Sequence, residues 1–162
     1  MCAAQTAATL TRLRLPQLSI HAPFGALTFS EDEGAIVAVD WGWGRDQEET
    51  GLLVQAREQM HEYLDGGRQG FDLPLRPVGS AYQQKVWATL ASIPCGQTWT
   101  YSAVAHRAGG NARTVAAASR RNPLPIVVPC HRVVAARSLG GYSDGEGLDT
   151  KRYLLQLETR PA

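Results

Sequence analysis

The stretch NPLPIVVPCHRVV, residues 122–134, restricts the fold more than any other part of the chain. Prolines at 123, 125 and 129 keep it out of helices and central strands, yet the residues between them are branched aliphatics that belong in a core. Ile126, Val127 and Val128 are expected as a short buried extended segment that Pro129 stops where Cys130 begins. That arrangement puts a thiol at the lip of a core, with His131 and Arg132 directly behind it.

At 162 residues and 44% hydrophobic content the chain fits one compact domain, or a domain with a small appendage. It contains no apolar run long enough to span a bilayer. Its start, MCAAQTAATLTRLRLP, has neither a basic leader nor a continuous apolar segment, so no membrane association and a cytoplasmic location are expected. Cys2, Cys95 and Cys130 are too few and too dispersed for a disulfide framework, and no Cys-x-x-Cys pair suggests zinc. No metal or other cofactor is expected.

The charges are sorted along the chain. Residues 1–75 carry five basic and eleven acidic side chains, whereas residues 76–142 carry eight basic ones and no acid. At the chain's acidic content, an acid-free run from residue 73 to 143 arises by chance roughly once in a thousand. A polyanion is the expected partner of that half. The competing reading is a basic face that merely neutralises the acidic half.

Patterning divides the chain in the same place. Residues 25–30 and 35–43 read as strands around the acidic turn Glu31-Asp32-Glu33-Gly34, and Leu53, Ala56, Met60, Tyr63 and Leu64 follow helical spacing up to Gly66-Gly67. Residues 71–77, with prolines at 74 and 77, form the expected boundary between units at 1–75 and 76–162. Beyond it, Ser80 and Gln83 make a capping box for a helix with the stripe Tyr82, Val86, Leu90 and Ile93. Two shorter helices follow, one with Tyr101, Val104, Ala105 and Ala108 on a face, the other over residues 112–121, separated by Gly109-Gly110. Helix, glycine turn, helix in a basic region is the pattern of a helix-turn-helix. Ala112, Thr114, Ala116, Ala117 and Ser119 are small enough for close backbone approach to a duplex, and large base readers are missing, which favours shape recognition.

An ordinary cysteine is only a few per cent thiolate at neutral pH and needs a base. On extended backbone His131 and Cys130 point to opposite sides, so the histidine reaches the thiol only through a bend or a bridging water. Lys151, Leu154, Leu155 and Glu158 share one helical stripe, which turns Glu158 inward as a partner for a histidine. Each residue also has a plainer reading: Cys130 as packing, Glu158 as a surface residue, Arg132 as a loop anchor through an ion pair, Tyr101 as core and Asn122 as a turn residue.

The sequence Pro129-Cys130-His131-Arg132-Val133 resembles the active-site signature of the O6-alkylguanine-DNA alkyltransferases, and the likeness runs over about residues 81–158 through VWATLASIPCGQTWTYSAVA, RNPLPIVVPCHRV and KRYLLQLE. The resemblance implies an α+β fold, with a small N-terminal α/β unit of ribonuclease H-like type followed by a helical unit bearing a winged helix-turn-helix. It implies Cys130 as nucleophile, His131 (through a water) and Glu158 as the groups that generate the thiolate, Tyr101 as proton donor to the leaving base and Asn122 as brace of the active-site turn. Val133 and the Cys130 carbonyl would meet the exocyclic amine, Tyr142 and Lys151 would belong to the substrate site, and the Ser143 amide would contact the departing oxygen. Arg113 would fill the space of a flipped nucleotide, with Ala112, Thr114, Ala117 and Arg120 on the DNA-facing helix. The implied partner is double-stranded DNA carrying O6-alkylguanine, bound by a monomer with scope for cooperativity along DNA. Two loops depart from the pattern: the turn at Gly109-Gly110-Asn111 is about two residues shorter, and the segment between Tyr142 and Lys151 is about two longer and carries Asp144 and Glu146. The competing classes are a non-catalytic damage sensor, a helix-turn-helix regulator and a cysteine hydrolase.

Overall fold

The computed structural model describes residues 15–142 and 145–160. Its first part is an antiparallel sheet in the order β1 (Gln17–Ala22), β2 (Gly25–Asp32), β3 (Ala35–Trp41). The two expected strands are present, and β1 is an additional one. With only Leu18 and Ile20 as its large apolar residues, β1 carries too short an alternation to stand out. Alternation sends Leu18, Ile20, Leu27 and Phe29 into the core; the opposite face is also covered, where Ser19 and Thr28 share a 2.7 Å hydroxyl hydrogen bond. β3 ends at Trp41 rather than at Trp43, which is 54% exposed and stacks on His21.

Helix α1 (Gly51–Leu64) is capped by Thr50 and packs on this sheet through Leu53, Ala56, Met60 and Tyr63. Gln59 on the same face bonds both the amide and the carbonyl of Asp72, pinning the proline-containing connection that follows. The outer edge of β3 is covered twice: Ile36 exchanges hydrogen bonds with Pro74 and Arg76, and the Val39 amide donates to the Pro123 carbonyl at 2.9 Å. The second of these ties the sheet to the run that carries Cys130.

The second part holds α2 (Ala81–Ala91), α3 (Tyr101–Ala108), α4 (Ala112–Arg120) and α5 (Leu148–Thr159). The Ser80–Gln83 capping box forms as expected, and Asn111 and Thr114 make a second one for α4. β4 (Trp99–Thr100) pairs in parallel with β5 (Val133–Val134), which brings the start of α3 beside the end of the active run. The α3–α4 turn is tight. Gly110 sits at φ 78°, and a Cβ there would collide with Thr114 Oγ1 and Tyr82 Oη. Tyr82 on α2 locks this turn, donating to the Gly109 carbonyl at 2.9 Å and sharing a 2.8 Å hydrogen bond with Thr114.

One expectation is corrected. Residues 126–128 are buried, but they form a tight turn, not an extended segment: the Val128 amide returns to the Leu124 carbonyl at 2.8 Å, and Ile126 sits at φ 73°, a conformation unfavourable for a β-branched residue. Proline spacing and the Asn122 side chain close the loop on itself instead.

Candidate active site

Asn122 spans the mouth of that turn. Its Nδ2 donates to the Val128 carbonyl at 2.8 Å and its Oδ1 accepts from the Leu124 amide at 2.9 Å, so one buried side chain holds both arms. Pro129 then leads into a single 3₁₀ turn, Cys130–Arg132, stabilised by the Val133 amide donating to the Cys130 carbonyl. The turn supplies the bend that takes Cys130 and His131 off a straight strand. Cys130 is 6% exposed and lines a cavity of about 320 Å³ together with Tyr101, Ala116, Ser119, Arg120, Gly141 and Tyr142.

His131 is fully buried, and its Nε2 lies 2.8 Å from Glu158 Oε2. Arg132 grips the same carboxylate with two donors, Nε to Oε1 at 2.9 Å and a terminal nitrogen to Oε2 at 2.8 Å, and gives its other arm to the Ile93 carbonyl at 2.7 Å. Tyr63, reaching across from α1, donates its hydroxyl to Oε2 at 2.6 Å. Burial alone would raise the Glu158 pKa, but hydrogen bonds from His131, Arg132 and Tyr63 outweigh it and hold the carboxyl at about 2.

An ionised carboxylate only accepts, so His131 Nε2 carries the hydrogen in this pair. Burial lowers the His131 pKa against the opposing pull of Glu158, which keeps the ring neutral. Nδ1 is then the basic nitrogen. It is buried and has no protein hydrogen-bond partner among the described residues.

Lys151 and Glu158 both face inward from α5, as expected, although Leu157 rather than Leu155 completes the buried stripe. Lys151 is fully buried, yet it does not line the cavity: its ammonium donates to the carbonyls of Val133, Leu139 and Gly141 and so holds the wall from behind. Burial pushes its pKa down to about 8, while the proximity of Cys130 acts to raise it. Val133 likewise lies behind the surface of the cavity, with its carbonyl engaged by Lys151. Tyr101 lines the cavity as well, its hydroxyl 3.5 Å from the Gly141 carbonyl and its pKa raised by burial, so the phenol keeps its proton at neutral pH. Ser143 falls outside the described residues.

Above the cavity, Ala112, Arg113, Thr114, Ala117 and Arg120 are all exposed on one side of α4, while Val115, Ala118 and Ser119 are buried. Two of the five have other engagements: the Thr114 hydroxyl is taken up within the turn, and Arg120 also borders the cavity. Three contributors were not among the site residues expected from the sequence, although the plainer reading of Arg132, a loop anchor through an ion pair, matches its contact with Glu158. Tyr63 and Arg132 complete the carboxylate's shell, and Ser119 lines the cavity with its hydroxyl buried and without a hydrogen-bond partner among the described residues. A polar residue on the inner face of an otherwise alanine-rich helix was the one available signal for Ser119.

Fold and site define a class: a sheet-and-helix unit joined to a helix-turn-helix unit whose accessible cavity ends on one buried thiol backed by a neutral histidine. Family models agree with both parts. Residues 18–77 match the ribonuclease-like domain of 6-O-methylguanine DNA methyltransferase, and residues 81–160 match its DNA binding domain. The chain belongs to this family. It is 39% identical over 150 residues to the constitutive methylated-DNA–protein-cysteine methyltransferase of Bacillus subtilis, covering 84% of this chain and 90% of that one. The Methanosarcina mazei methylated-DNA–protein-cysteine methyltransferase is 40% identical over 82% of each chain. The crystal structure of the Mycobacterium tuberculosis OGT in complex with DNA superposes with a TM-score of 0.81 at 34% identity, over 90% of this chain and 93% of that one.

Proposed function

We propose that this protein repairs DNA by direct reversal, moving the alkyl group of O6-alkylguanine irreversibly onto Cys130. The observation that carries the reading is the placement of the Cys130 thiol at the end of a base-sized cavity, beneath the exposed face of α4 and in front of the neutral His131–Glu158 pair.

The thiol proton passes through a water to His131 Nδ1, and the developing imidazolium is stabilised by ionised Glu158. The Lys151 ammonium behind the wall favours the thiolate electrostatically. The sulfur then displaces the guanine oxygen from the alkyl carbon: a carbon–sulfur bond forms, the carbon–oxygen bond breaks, and its electron pair stays on the base. Tyr101 donates a proton to a ring nitrogen, so guanine leaves neutral. Asn122 holds the turn that aims the thiol, and Lys151 positions the strand carrying Val133 and the wall carrying Gly141.

A base inside a duplex cannot reach this cavity, so the lesion is rotated out of the stack while Arg113 enters the space it vacates. The thioether has no route back, and each molecule acts once. In this reading residues 1–75 form the structural unit, residues 76–162 bind DNA and perform transfer, and a monomer acts on double-stranded DNA in the cytoplasm.

The test is intact-protein mass after incubation with a duplex containing one O6-methylguanine, followed by peptide mapping. One methyl per protein on the peptide holding Cys130, absent in Cys130→Ser, is expected. Tight binding of the lesion with unchanged mass would overturn the proposal. Arg113→Ala should slow repair of the duplex more than reaction with the free modified base, and equal losses would refute the role given to Arg113.

A further inference from the structure

The relay behind Cys130 is not confined to the unit that carries it. Among the described residues, Glu158 Oε2 receives three donors, His131 Nε2 at 2.8 Å, an Arg132 nitrogen at 2.8 Å and the Tyr63 hydroxyl at 2.6 Å, whereas Oε1 receives Arg132 Nε alone. Tyr63 comes from α1, 95 residues away in sequence, and is the shortest of the four contacts. It is 2% exposed, and its ring is packed against Phe71 with centroids 5.4 Å apart, so the hydroxyl has little freedom to turn elsewhere.

Three donors on one oxygen compete for the same electron density. The tyrosine therefore weakens the attraction of Glu158 for the His131 proton and fixes the carboxylate's rotation, which in turn fixes the imidazole plane. We propose that Tyr63 is a positioning residue for alkyl transfer, whose hydroxyl sets the orientation and proton affinity of the Glu158–His131 pair. The N-terminal unit is thus part of the thiolate-generating machinery as well as its support. This rests on the function proposed above. The Val39–Pro123 hydrogen bond and the Phe24–Tyr153 ring contact, with centroids 5.6 Å apart, hold α1 and the relay in one register.

Among the described residues, the ionisable groups acting on the pair are Arg132 on its own turn, Lys151 from α5, Tyr63 from α1 and Cys95 from the loop after α2, with the reacting Cys130 next to His131 in sequence. The Arg132, Tyr63 and Cys95 values are all raised and Lys151 titrates near 8, so on the acid side the profile belongs to the relay and its thiol.

The experiment is the pH dependence of the single-turnover rate on a duplex containing O6-methylguanine. Tyr63→Phe removes one donor, makes Glu158 more basic and raises the His131 pKa. The acid limb should therefore move up by about half a pH unit, with a loss of up to roughly threefold on the acid side that is regained above the limb. Replacing Tyr63 with 3,5-difluorotyrosine, a stronger donor of nearly the same shape, should move the limb the other way. His131 ring-nitrogen shifts in the unalkylated protein should follow the same two directions and do not depend on transfer. A uniform loss at every pH, or His131 titration unchanged by both substitutions, would overturn the proposal. Absence of transfer by the unsubstituted protein would instead refute the underlying function.

Discussion

Replacing Glu158 with glutamine turns one carboxylate oxygen into an NH₂ and leaves Arg132 buried without its counter-charge. The size of the effect follows from the site. The Glu158 side chain is 1% exposed and its carboxyl sits at about 2 instead of the ordinary 4.5. At about 1.4 kcal/mol per pH unit, that difference makes the ionised carboxylate worth roughly 3 kcal/mol to the native state at neutral pH. Because the folded value is depressed, this contribution is fully present above the unfolded value and disappears as pH falls toward the folded one; by pH 3 about 2 kcal/mol of it is gone. Urea unfolding of the protein and of Glu158→Gln at pH 7, 5, 4 and 3 measures the gap directly. It should be about 3 kcal/mol at pH 7 and 5, and should narrow steeply below pH 4.5. A gap below 1 kcal/mol at pH 7, or one that stays constant down to pH 3, would show that the carboxylate is not held as described.

Asn122→Ala leaves the Leu124 amide and the Val128 carbonyl buried without that side chain, costing about 2–3 kcal/mol in urea unfolding and more than tenfold in transfer rate; a rate unchanged in the folded variant would remove Asn122 from the positioning set. Lys151→Met takes the donor from three carbonyls and the nearby positive charge from the thiol. It should raise the pH midpoint of Cys130 alkylation by iodoacetamide, and an unchanged midpoint would argue against electrostatic support of the thiolate. Ser119→Ala removes a buried hydroxyl that has no partner among the described residues and gains helix propensity, so it should stabilise the fold by about 1 kcal/mol. Destabilisation would mean that the hydroxyl is engaged.

The elements whose signals lie within a few residues of one another were legible in the sequence. Ser80 and Gln83 define a helix start through two hydrogen bonds across one turn, the glycines at 109 and 110 force a break, and the stripe through Lys151, Leu154 and Glu158 turns two charges inward. Such spacing brought Cys130, His131 and Glu158 together as candidates, and the ordered motifs around them pointed to the family. The strand Gln17–Ala22 escaped because two large apolar residues make too short an alternation, and the turn at residues 125–128 escaped because an aliphatic run has the same composition whether it is straight or folded back.

The sequence alone determined which chemical groups are available: a lone thiol with an adjacent histidine in a buried proline-rich run, a basic acid-free half, and an inward glutamate at the far end of the last helix. The tertiary structure decided what those groups are to one another. Tyr63 carries no local mark of its bond to Glu158, because a hydrogen bond across 95 residues depends on how α1, the sheet and α5 pack rather than on any periodicity, and the same packing chose Glu158 as the ion-pair partner of Arg132. Lys151 moved from the expected substrate surface to the back of the wall for the same reason: a helical stripe says which side is buried, and only packing says against what.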